Sequence, residues 1–361
     1  MENAKLREFL ASIQKPGKAV EGEDFCFSAA YLDHGHIYGM VAALVEAGGK
    51  LVSVYDRDPV RAASLAEKYG AKVLRDFDEI FEDKRVRLVA AAGITSERGA
   101  VGCEVMRRGL DYFVDKAPFT SLEQLEEADR VARETGKHYF VYYSERLHSE
   151  CALLAGEMVK AGMIGRVTNV IGTGPHRLNL PTRPAWFFER AKYGGILTDI
   201  GSHQAEQFLF YADCDDVRVT HSAIGNFSHP DYPEFDDFGE MHLTAANGTT
   251  GYHRVDWHTP DGLSTWGDGR CFIEGTEGFI ELRKFVDLTR GGGNSLYLVN
   301  GEGEFHIDAR NTTGYPYFRD LILDSLNGTE NAMTRAHAFA AARAALEAQK
   351  NAVELTGRKK Q

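Results

Sequence analysis

Apolar strands and amphipathic helices alternate over the first half of the chain, and this pattern restricts the fold more than any other feature. The strand-like run Phe25–Tyr31 precedes the helical spacing of Ile37–Leu44, and further strands are expected at 51–55, 88–92, 112–115 and 139–143. Asp58 and Thr120 are expected to cap two of the intervening helices. Strands of this kind form parallel sheets covered on both faces. The sequence therefore predicts a doubly wound α/β domain.

A different pattern begins after Glu145. Long strand-like runs follow one another, separated in two places by Asn247-Gly248 and Glu277-Gly278, which is typical of antiparallel hairpins. We therefore divide the chain into an N-terminal extension (1–24), a dinucleotide-binding Rossmann domain (25–146) and an α+β domain with a large, open, mostly antiparallel sheet (147–330). Residues 331–361 are expected to form an alanine-rich helix that packs back on the body.

Composition argues against several classes of partner and location. The 361 residues carry a formal net charge of −12, which argues against nucleic acid and against an anionic membrane surface as partners. No apolar run has the length of a membrane span, and Met1–Lys15 has no apolar signal core, so a cytoplasmic protein is expected. The five cysteines are scattered without a C-x-x-C pair, which argues against a disulfide framework or a cysteine zinc site.

The turn after the first predicted strand is where a dinucleotide would bind, on the free N–H groups of the following helix. The usual G-x-G-x-x-G pattern is absent there, because the turn reads Leu32-Asp33-His34-Gly35-His36-Ile37-Tyr38-Gly39. Asp56 ends the second strand at the spacing at which a carboxylate binds ribose hydroxyls. It favours NAD over NADP, a preference that the neighbouring arginines weaken. The predicted cofactor-binding residues in this region are Asp33, His34, Gly35, His36, Ile37, Asp56 and Arg57.

Asp199 and His203 follow the Gly194-Gly195 turn at a separation of four residues. In a helix that begins at Ile196, both side chains lie on one face. A carboxylate and an imidazole placed in this way can transfer a proton. A helix start with a buried, hydrogen-bonded histidine explains the same spacing, so the pattern alone leaves both explanations open.

A loop rich in rings and arginines precedes this helix. Rings bind the apolar face of a sugar, and arginine binds a carboxylate through two parallel hydrogen bonds. The arginines favour a sugar acid over a neutral polyol, although a packed loop with surface arginines is the alternative. Trp266–Arg270 is a further candidate for the rim of the site. The predicted substrate-binding residues are His176, Arg177, Asn179, Arg183 and Trp186.

Three motifs in this order resemble those of the Gfo/Idh/MocA family, named for glucose-fructose oxidoreductase, inositol dehydrogenase and rhizopine catabolism. They are Val54–Pro59, Val114–Pro118 and Gly194–His203, and the resemblance spans nearly the whole chain from Phe25. It implies a Rossmann domain followed by an α/β domain whose open sheet usually forms an oligomer. It also implies a nicotinamide cofactor and hydride transfer to or from a sugar, polyol or related carbon.

Residue by residue, Lys116 matches the lysine of the family's Glu-Lys-Pro motif. Asp199 and His203 match its Asp-x-x-x-His helix. Two features depart from the family pattern: the glycine fingerprint is missing, and Ala117 separates Lys116 from Pro118. A lysine–proline bond, which can be cis, is therefore absent, and the backbone at Lys116 is expected to differ from the family's.

A hydride leaves a carbinol carbon only as the hydroxyl proton departs. We assign His203 as the base, Lys116 as the residue that holds the hydroxyl beside the nicotinamide, and Asp199 as the residue that orients the substrate or His203. The prediction is an NAD-dependent oxidoreductase, with NADP as an alternative cofactor and no metal, that acts on a hydroxylated small molecule. We expect it to form a homodimer or homotetramer through the C-terminal sheet.

Two other functions stay open. One is a metal-dependent lyase or hydrolase that uses Asp33, His34, His36 and His203, since imidazole and carboxylate are proper ligands for zinc or manganese. The other is a non-catalytic sensor of a nucleotide or sugar. The complete set of catalytic side chains argues against the sensor, because a protein without activity has no need for all three.

Overall fold

The computed structural model describes residues 4–356. They form a six-stranded sheet and a nine-stranded sheet, joined by a continuous apolar core that includes residues from both. Among residues 4–356, no helix combines the length and the apolar character that crossing a bilayer would require.

The first sheet is entirely parallel, with strand order β3-β2-β1-β4-β5-β6. This order is typical of dinucleotide-binding folds and confirms the predicted doubly wound domain. Its elements in chain order, with the helix that precedes them, are α1 (Ala4–Ser12), β1 (Cys26–Ala30), α2 (His36–Glu46), β2 (Lys50–Tyr55), α3 (Pro59–Tyr69), β3 (Lys72–Val73), a 3₁₀ turn (Phe77–Glu82), β4 (Val86–Ala91), α4 (Thr95–Arg107), β5 (Asp111–Asp115), α5 (Leu122–Thr135) and β6 (Tyr139–Tyr142).

Local signals explain where two of these helices begin and end. The Asp58 side chain accepts a hydrogen bond from the backbone N–H of Val60, and Gly70 ends α3 with a left-handed φ of 66°. Both features were expected from the sequence, because an N-cap acid and a C-terminal glycine satisfy the free groups of a helix. Helix α5 differs by one residue: Ser121, and not Thr120, caps it by accepting from the Gln124 N–H.

The second sheet has the order β14-β13-β12-β11-β7-β10-β9-β8-β15. Only the β7–β10 and β8–β15 pairs are parallel, so the predicted large, mostly antiparallel sheet is confirmed. Its elements and the associated helices are α6 (Ser144–Leu147), α7 (Glu150–Lys160), β7 (Val167–Pro175), 3₁₀ turns at Leu180–Thr182 and Ala185–Phe188, α8 (Arg190–Tyr193), α9 (Ile196–Asp199), α10 (Gly201–Ala212), β8 (Val217–Gly225), β9 (Phe238–Ala245), β10 (Thr250–Asp256), β11 (Arg270–Gly275), β12 (Gly278–Arg283), β13 (Ser295–Asn300), β14 (Gly303–Asp308), α11 (Pro316–Asn327), α12 (Arg335–Asn351) and β15 (Val353–Glu354).

The two faces of the second sheet differ. Helices α10 and α12 pack on one face. The other face carries Ile171 on the central strand β7, with Phe272 and Tyr252 paired beside it on β11 and β10. Ile171 is 40% exposed, so no part of residues 4–356 covers this side chain fully.

The last two helices also pack against the first domain. The Tyr317 hydroxyl on α11 donates to the Val141 carbonyl of β6 at 3.0 Å. On α12, the Phe339 ring packs against Phe119 with ring centroids 5.2 Å apart. The alanine-rich helix is shorter than predicted, because the chain leaves it at Asn351 and pairs with β8 as the short strand β15.

Candidate active site

The predicted catalytic residues meet at the carboxyl edge of the parallel sheet. Lys116 directly follows β5, Asp199 ends α9, and His203 lies in the first turn of α10. The Lys116 Nζ donates to Asp199 Oδ1 at 2.6 Å. The peptide bond between Lys116 and Ala117 is cis although residue 117 is not proline. Such an edge, where the strand order reverses between β1 and β4, is the usual ligand-binding place of this architecture.

Lys116 and Asp199 form a nearly buried ion pair, with side chains 3% and 10% exposed. Burial alone would raise the pKa of Asp199, but the charge and hydrogen bond of Lys116 outweigh it and hold this pKa below its usual value. Asp199 is therefore an anion at neutral pH. Its position fixes the ammonium group at the point where Lys116 leaves β5.

His203 is 1% exposed, and its ring lies 6.4 Å from that of Tyr143. Among the described residues, no group hydrogen-bonds to its buried Nδ1. Burial lowers the pKa of His203 well below its usual value, against the opposing charge of Glu145. His203 is therefore a neutral imidazole, the form that accepts a proton, and the alternative of a fully hydrogen-bonded core histidine does not describe it.

Asp115 organises the start of α2, a role that the sequence did not reveal. Its Oδ1 lies 2.8 Å from His36 Nδ1 and its Oδ2 lies 3.0 Å from His34 Nδ1. Arg98 approaches Oδ2 at 3.3 Å and donates to the backbone carbonyls of residues 93, 115, 116 and 117. The only signal for Asp115 in the sequence was a carboxylate directly before Lys116 at the end of a strand.

The charges of this cluster differ from those of free side chains. Burial lowers the pKa of His34 to about 4. Burial would raise the pKa of Asp115, but His36, Arg98 and His34 lower it well below the usual range. An ionised Asp115 thus lies between a neutral His34 and the Arg98 guanidinium.

Asp56 has several hydrogen-bond donors around it. Its carboxylate accepts from the backbone N–H groups of Leu32 at 2.5 Å and Asp58 at 2.6 Å. It also accepts two hydrogen bonds from Arg61, and the side chain is 0% exposed. Asp56 therefore anchors the turn and Arg61, and its contact with a ribose stays a prediction. Asp33 shares the same guanidinium at 2.9 Å, yet its Oδ2 is buried without a partner among the described residues.

Arg57 and the helix-start residues complete the predicted cofactor region. Arg57 pairs with Glu97 at 2.8 Å and lies 5.1 Å over the Tyr31 ring. Ile37 is fully buried and supports α2 from the core side. A Cβ atom added to Gly35 would meet no atom within 4 Å, so open space lies beside the helix start.

Of the predicted substrate residues, His176 and Arg183 lie close enough to Asp199 for its charge to act on the pKa of each. His176 lies between Trp257 and Trp266, at ring distances of 5.4 and 4.4 Å, and burial lowers its pKa to about 4. The Arg183 guanidinium stacks on Phe187 and Trp257 at 4.5 and 4.9 Å. Burial lowers the pKa of Arg183, and the only charged group that opposes this effect is Asp199.

The other three predicted substrate residues have contacts of their own, and their role in substrate binding stays a prediction. Arg177 donates to the carbonyls of Pro260 and Leu263 at 3.0 and 2.6 Å, so its guanidinium anchors the 260–263 loop. Asn179 is exposed and has a left-handed φ of 51° at the start of a 3₁₀ turn. Trp186 packs on Phe187 at a ring distance of 5.8 Å.

A buried polar network lies near His176 and His203, and the sequence analysis did not predict it. Glu145 Oε2 accepts from Lys284 Nζ at 2.6 Å and from Gln204 Nε2 at 2.9 Å. Lys284 Nζ also donates to Gln207 Oε1 at 2.9 Å. Gln204 and Gln207 share α10, but Glu145 and Lys284 lie in distant segments, so no spacing in the sequence joins all four residues. We name Glu145, Gln204, Gln207 and Lys284 the buried network.

The metal set considered from the sequence does not assemble. Asp33 pairs with Arg61, and His203 is not part of the cluster. Within residues 4–356, the one group of three candidate ligands is His34, His36 and Asp115, whose ligand atoms lie within 4.8 Å of one another.

The comparisons with known proteins agree with this geometry. Residues 30–143 match the model of the oxidoreductase family with an NAD-binding Rossmann fold, and residues 153–281 match the GFO/IDH/MocA C-terminal domain. A solved structure of a provisionally named oxidoreductase from Erwinia carotovora atroseptica SCRI1043 is 43% identical, covers 92% of this chain and 100% of its own, and has a TM-score of 0.89. The chain belongs to the Gfo/Idh/MocA family. The predicted family, Rossmann fold and nicotinamide cofactor class are thus confirmed.

Other proteins similar to this chain are more distant. D-xylose dehydrogenase from Paenarthrobacter nicotinovorans is 26% identical over 153 residues, which are 41% of this chain and 39% of that protein. The match therefore spans less than half of this curated relative. A levoglucosan dehydrogenase solved with NADH and levoglucosan shares the fold, with a TM-score of 0.74, 16% identity and coverage of 90% of this chain and 97% of its own.

Proposed function

We propose that this Gfo/Idh/MocA protein is an NAD-dependent dehydrogenase that acts on a CH–OH group of a polyhydroxylated small molecule, a sugar, sugar acid or polyol. The observation that carries the proposal is the 2.6 Å contact between Lys116 and Asp199, next to a neutral, buried His203. A fixed cation and a neutral imidazole are the two groups that removal of a hydride and a proton from an alcohol requires.

The residues at the sheet edge fit a dinucleotide even without the glycine fingerprint. Open space beside Gly35 leaves room for a diphosphate at the start of α2, where helix N–H groups favour an anion. His36, oriented by Asp115, lies beside it as a side-chain donor. The unpartnered Oδ2 of Asp33 is suited to accept a hydrogen bond from a ribose hydroxyl, in the place first predicted for Asp56.

The nicotinamide ring, when bound, takes up or returns the hydride. The protein supplies the rest of the chemistry. His203 accepts the hydroxyl proton in oxidation and returns it in reduction, and the Lys116 ammonium stabilises the charge that develops on the oxygen. Asp199 holds Lys116 in position. Each of these groups reaches the site from a different element, which fixes their relative positions.

Arg183 indicates the substrate class. Lys116 is neutralised by Asp199 and Lys284 by Glu145, whereas within residues 4–356 no carboxylate forms a salt bridge with Arg183. An arginine without a salt-bridge partner among the described residues, stacked on two rings beside the site, favours a ligand with a carboxylate. We therefore favour a sugar acid over a neutral polyol, with Arg183 and not Arg177 as the residue that binds it.

The test measures cofactor binding and turnover separately. The purified protein is titrated with NADH and NADPH by fluorescence and calorimetry, and a panel of aldonates, uronates, inositols and neutral sugars is then screened for NAD reduction. We expect micromolar NADH binding and turnover of at least one hydroxylated compound. Failure of a folded sample to bind either cofactor at millimolar concentration refutes the oxidoreductase proposal.

A metal-dependent reaction is a second candidate because His34, His36 and Asp115 lie close together. Two imidazoles and a carboxylate are ligands for zinc or manganese. The nearby Arg98 and Lys116 cations oppose a divalent ion at this place, so the redox function is preferred. Elemental analysis of protein purified without chelator decides: one equivalent of zinc or manganese, with activity lost on chelation, supports the second candidate.

We also propose that the uncovered face of the nine-stranded sheet forms a homodimer or homotetramer interface. Ile171, Tyr252, Phe272 and Phe279 give this face an apolar centre, with the Phe272 and Phe279 rings stacked 4.8 Å apart. Contiguous apolar surface of this kind favours a symmetric partner. Light scattering at micromolar concentration measures the mass, and a monomer contradicts the proposal.

A further inference from the structure

The buried network contains two charges that solvent does not reach. The side chain of Lys284 is 0% exposed and that of Glu145 is 2% exposed. A buried ion pair costs desolvation free energy, and apolar residues of similar volume are often as stable in its place. A contribution to stability is therefore a weak explanation for the presence of Glu145 and Lys284 at buried positions.

The network connects the first domain to the helix that carries His203. Glu145 lies on α6, just after the last strand of the first sheet, whereas Gln204 and Gln207 lie on α10. Strand β7 leaves space for this contact through two glycines. A Cβ on Gly172 would lie 2.3 Å from Gln204 Oε1, and one on Gly174 would lie 2.8 Å from Gln204 Nε2.

One oxygen of Glu145 is bound tightly and the other is not. Oε2 takes the hydrogen bonds from Lys284 and Gln204, whereas Oε1 is buried without a hydrogen-bond partner among the described residues. His176 Nε2 lies 3.9 Å from Oε1. A Cβ built on Gly174 would lie 3.3 Å from Oε1, so this oxygen also lies close to β7. Glu145 Oε1 therefore faces the imidazole of His176, which packs against Trp257 and Trp266.

We infer that Glu145, held by Lys284, is a positioning residue of the active site: its carboxylate orients His176, and its hydrogen bond with Gln204 ties it to the helix that carries His203. The inference rests on the proposed function. The titratable groups that face Glu145 are Lys284 after β12, His203 on α10 and His176 after β7. Those that face His203 are Glu145, Lys116, His36 and His176.

The signs of the expected effects follow from these charges. Burial would raise the pKa of Glu145, but Lys284, His203 and His176 lower it to about 2, so it is an anion at working pH. Its charge raises the pKa values of both histidines. Removal of Glu145's charge should therefore lower these pKa values. Lys284→Met removes the cation that holds the pKa of Glu145 low, so burial favours the neutral carboxyl and the histidine pKa values should shift in the same direction.

The experiment compares Glu145→Gln and Lys284→Met with wild type. We expect kcat to fall about tenfold to hundredfold through misplacement of the imidazoles, while NADH affinity stays unchanged. The acidic limb of kcat/KM should move to lower pH in Glu145→Gln, and in the same direction in Lys284→Met. An NMR titration of the histidine Cε1–H signals reports the same shifts without substrate.

Glu206→Gln is the matched control. Glu206 lies on α10 with its side chain 0% exposed and forms an ion pair with Arg146, the residue next to Glu145. It should lower the melting temperature but leave the acidic limb in place. If Lys284→Met does not fold, Glu145→Gln carries the test, because glutamine keeps the volume and an acceptor for Lys284.

The outcomes separate the two proposals. Wild type that fails to bind NADH refutes the proposed function. Wild type that binds NADH and turns over substrate, with histidine titrations and pH limbs in Glu145→Gln identical to its own, overturns the positioning role and leaves the oxidoreductase intact.

Discussion

Replacement of Lys116 by methionine should separate the catalytic role of this residue from its structural role. Methionine keeps the length of the side chain but removes the ammonium that lies 2.6 Å from Asp199 Oδ1. Two unit charges at that distance attract by about 6 kcal/mol at an effective dielectric constant of about 20. Desolvation offsets part of this attraction, and loss of one partner of a buried pair typically costs about 3–5 kcal/mol. We expect Lys116→Met to lose about that much stability at pH 7.

The loss should depend on pH with a definite sign. Lys116 holds the folded-state pKa of Asp199 below its unfolded value, against burial. The stability from this pair is therefore present above the unfolded pKa of the carboxyl and is lost as pH falls through the folded pKa. In Lys116→Met burial acts alone, so the variant should lose less stability than wild type on acidification from pH 7 to pH 4.

The double variant Lys116→Met/Asp199→Asn distinguishes the two roles. It removes both charges, so urea unfolding followed by circular dichroism should show most of the lost stability restored. Its kcat/KM should remain at least about a hundredfold below wild type, because the cation that stabilises the developing alkoxide is still missing. Near-wild-type turnover by the double variant refutes the assignment of Lys116 to the chemistry. Equal stability of Lys116→Met and wild type refutes the estimate for the ion pair.

Four further changes have expected outcomes. Arg183→Leu should raise KM about tenfold or more for carboxylated substrates and leave neutral ones unchanged, measured by steady-state kinetics; an equal effect on both classes contradicts the anionic substrate. Ile171→Glu should halve the mass seen by light scattering, and an unchanged oligomer removes this face from the interface. Gly172→Ala should cost about 1–3 kcal/mol in urea unfolding because its Cβ would meet Gln204 Oε1 at 2.3 Å, whereas Gly262→Ala, with open space around it, should be neutral. Nearby carboxylates outweigh burial and raise the pKa of His337, so the stability advantage of wild type over His337→Asn should be full below about pH 6.5 and shrink as pH rises through the folded pKa.

The architecture was predictable because it rests on local patterns. Strand–helix alternation and the turns at Asn247-Gly248 and Glu277-Gly278 report on neighbouring residues, and both sheets formed as expected. Lys116, Asp199 and His203 each lie in a motif with fixed spacing, and the structure brings Lys116 Nζ to Asp199 Oδ1; their catalytic roles stay a prediction. The capping error at Thr120 has a similar origin, since adjacent Thr and Ser both suit an N-cap.

The parts that escaped prediction depend on contacts between distant segments. The hydrogen bonds of Asp56 with Arg61 and the Leu32 N–H were not predicted. The contacts of Arg177 with the carbonyls of the 260–263 loop were not predicted either. Glu145 and Lys284 lie 139 positions apart, and no periodicity or motif can indicate such a pair.

The packing of α11 and α12 against the first sheet has a consequence for synthesis of the chain. The first domain is translated long before residues 316–351, yet Phe113 packs against Phe318, and Phe119 against Phe339. A nascent chain that has completed only the first domain therefore leaves these rings without their partners, in a state open to non-native association. The first domain can reach its final packing only after the ribosome has released α11 and α12, so its folding should finish only once residues 316–351 have been translated.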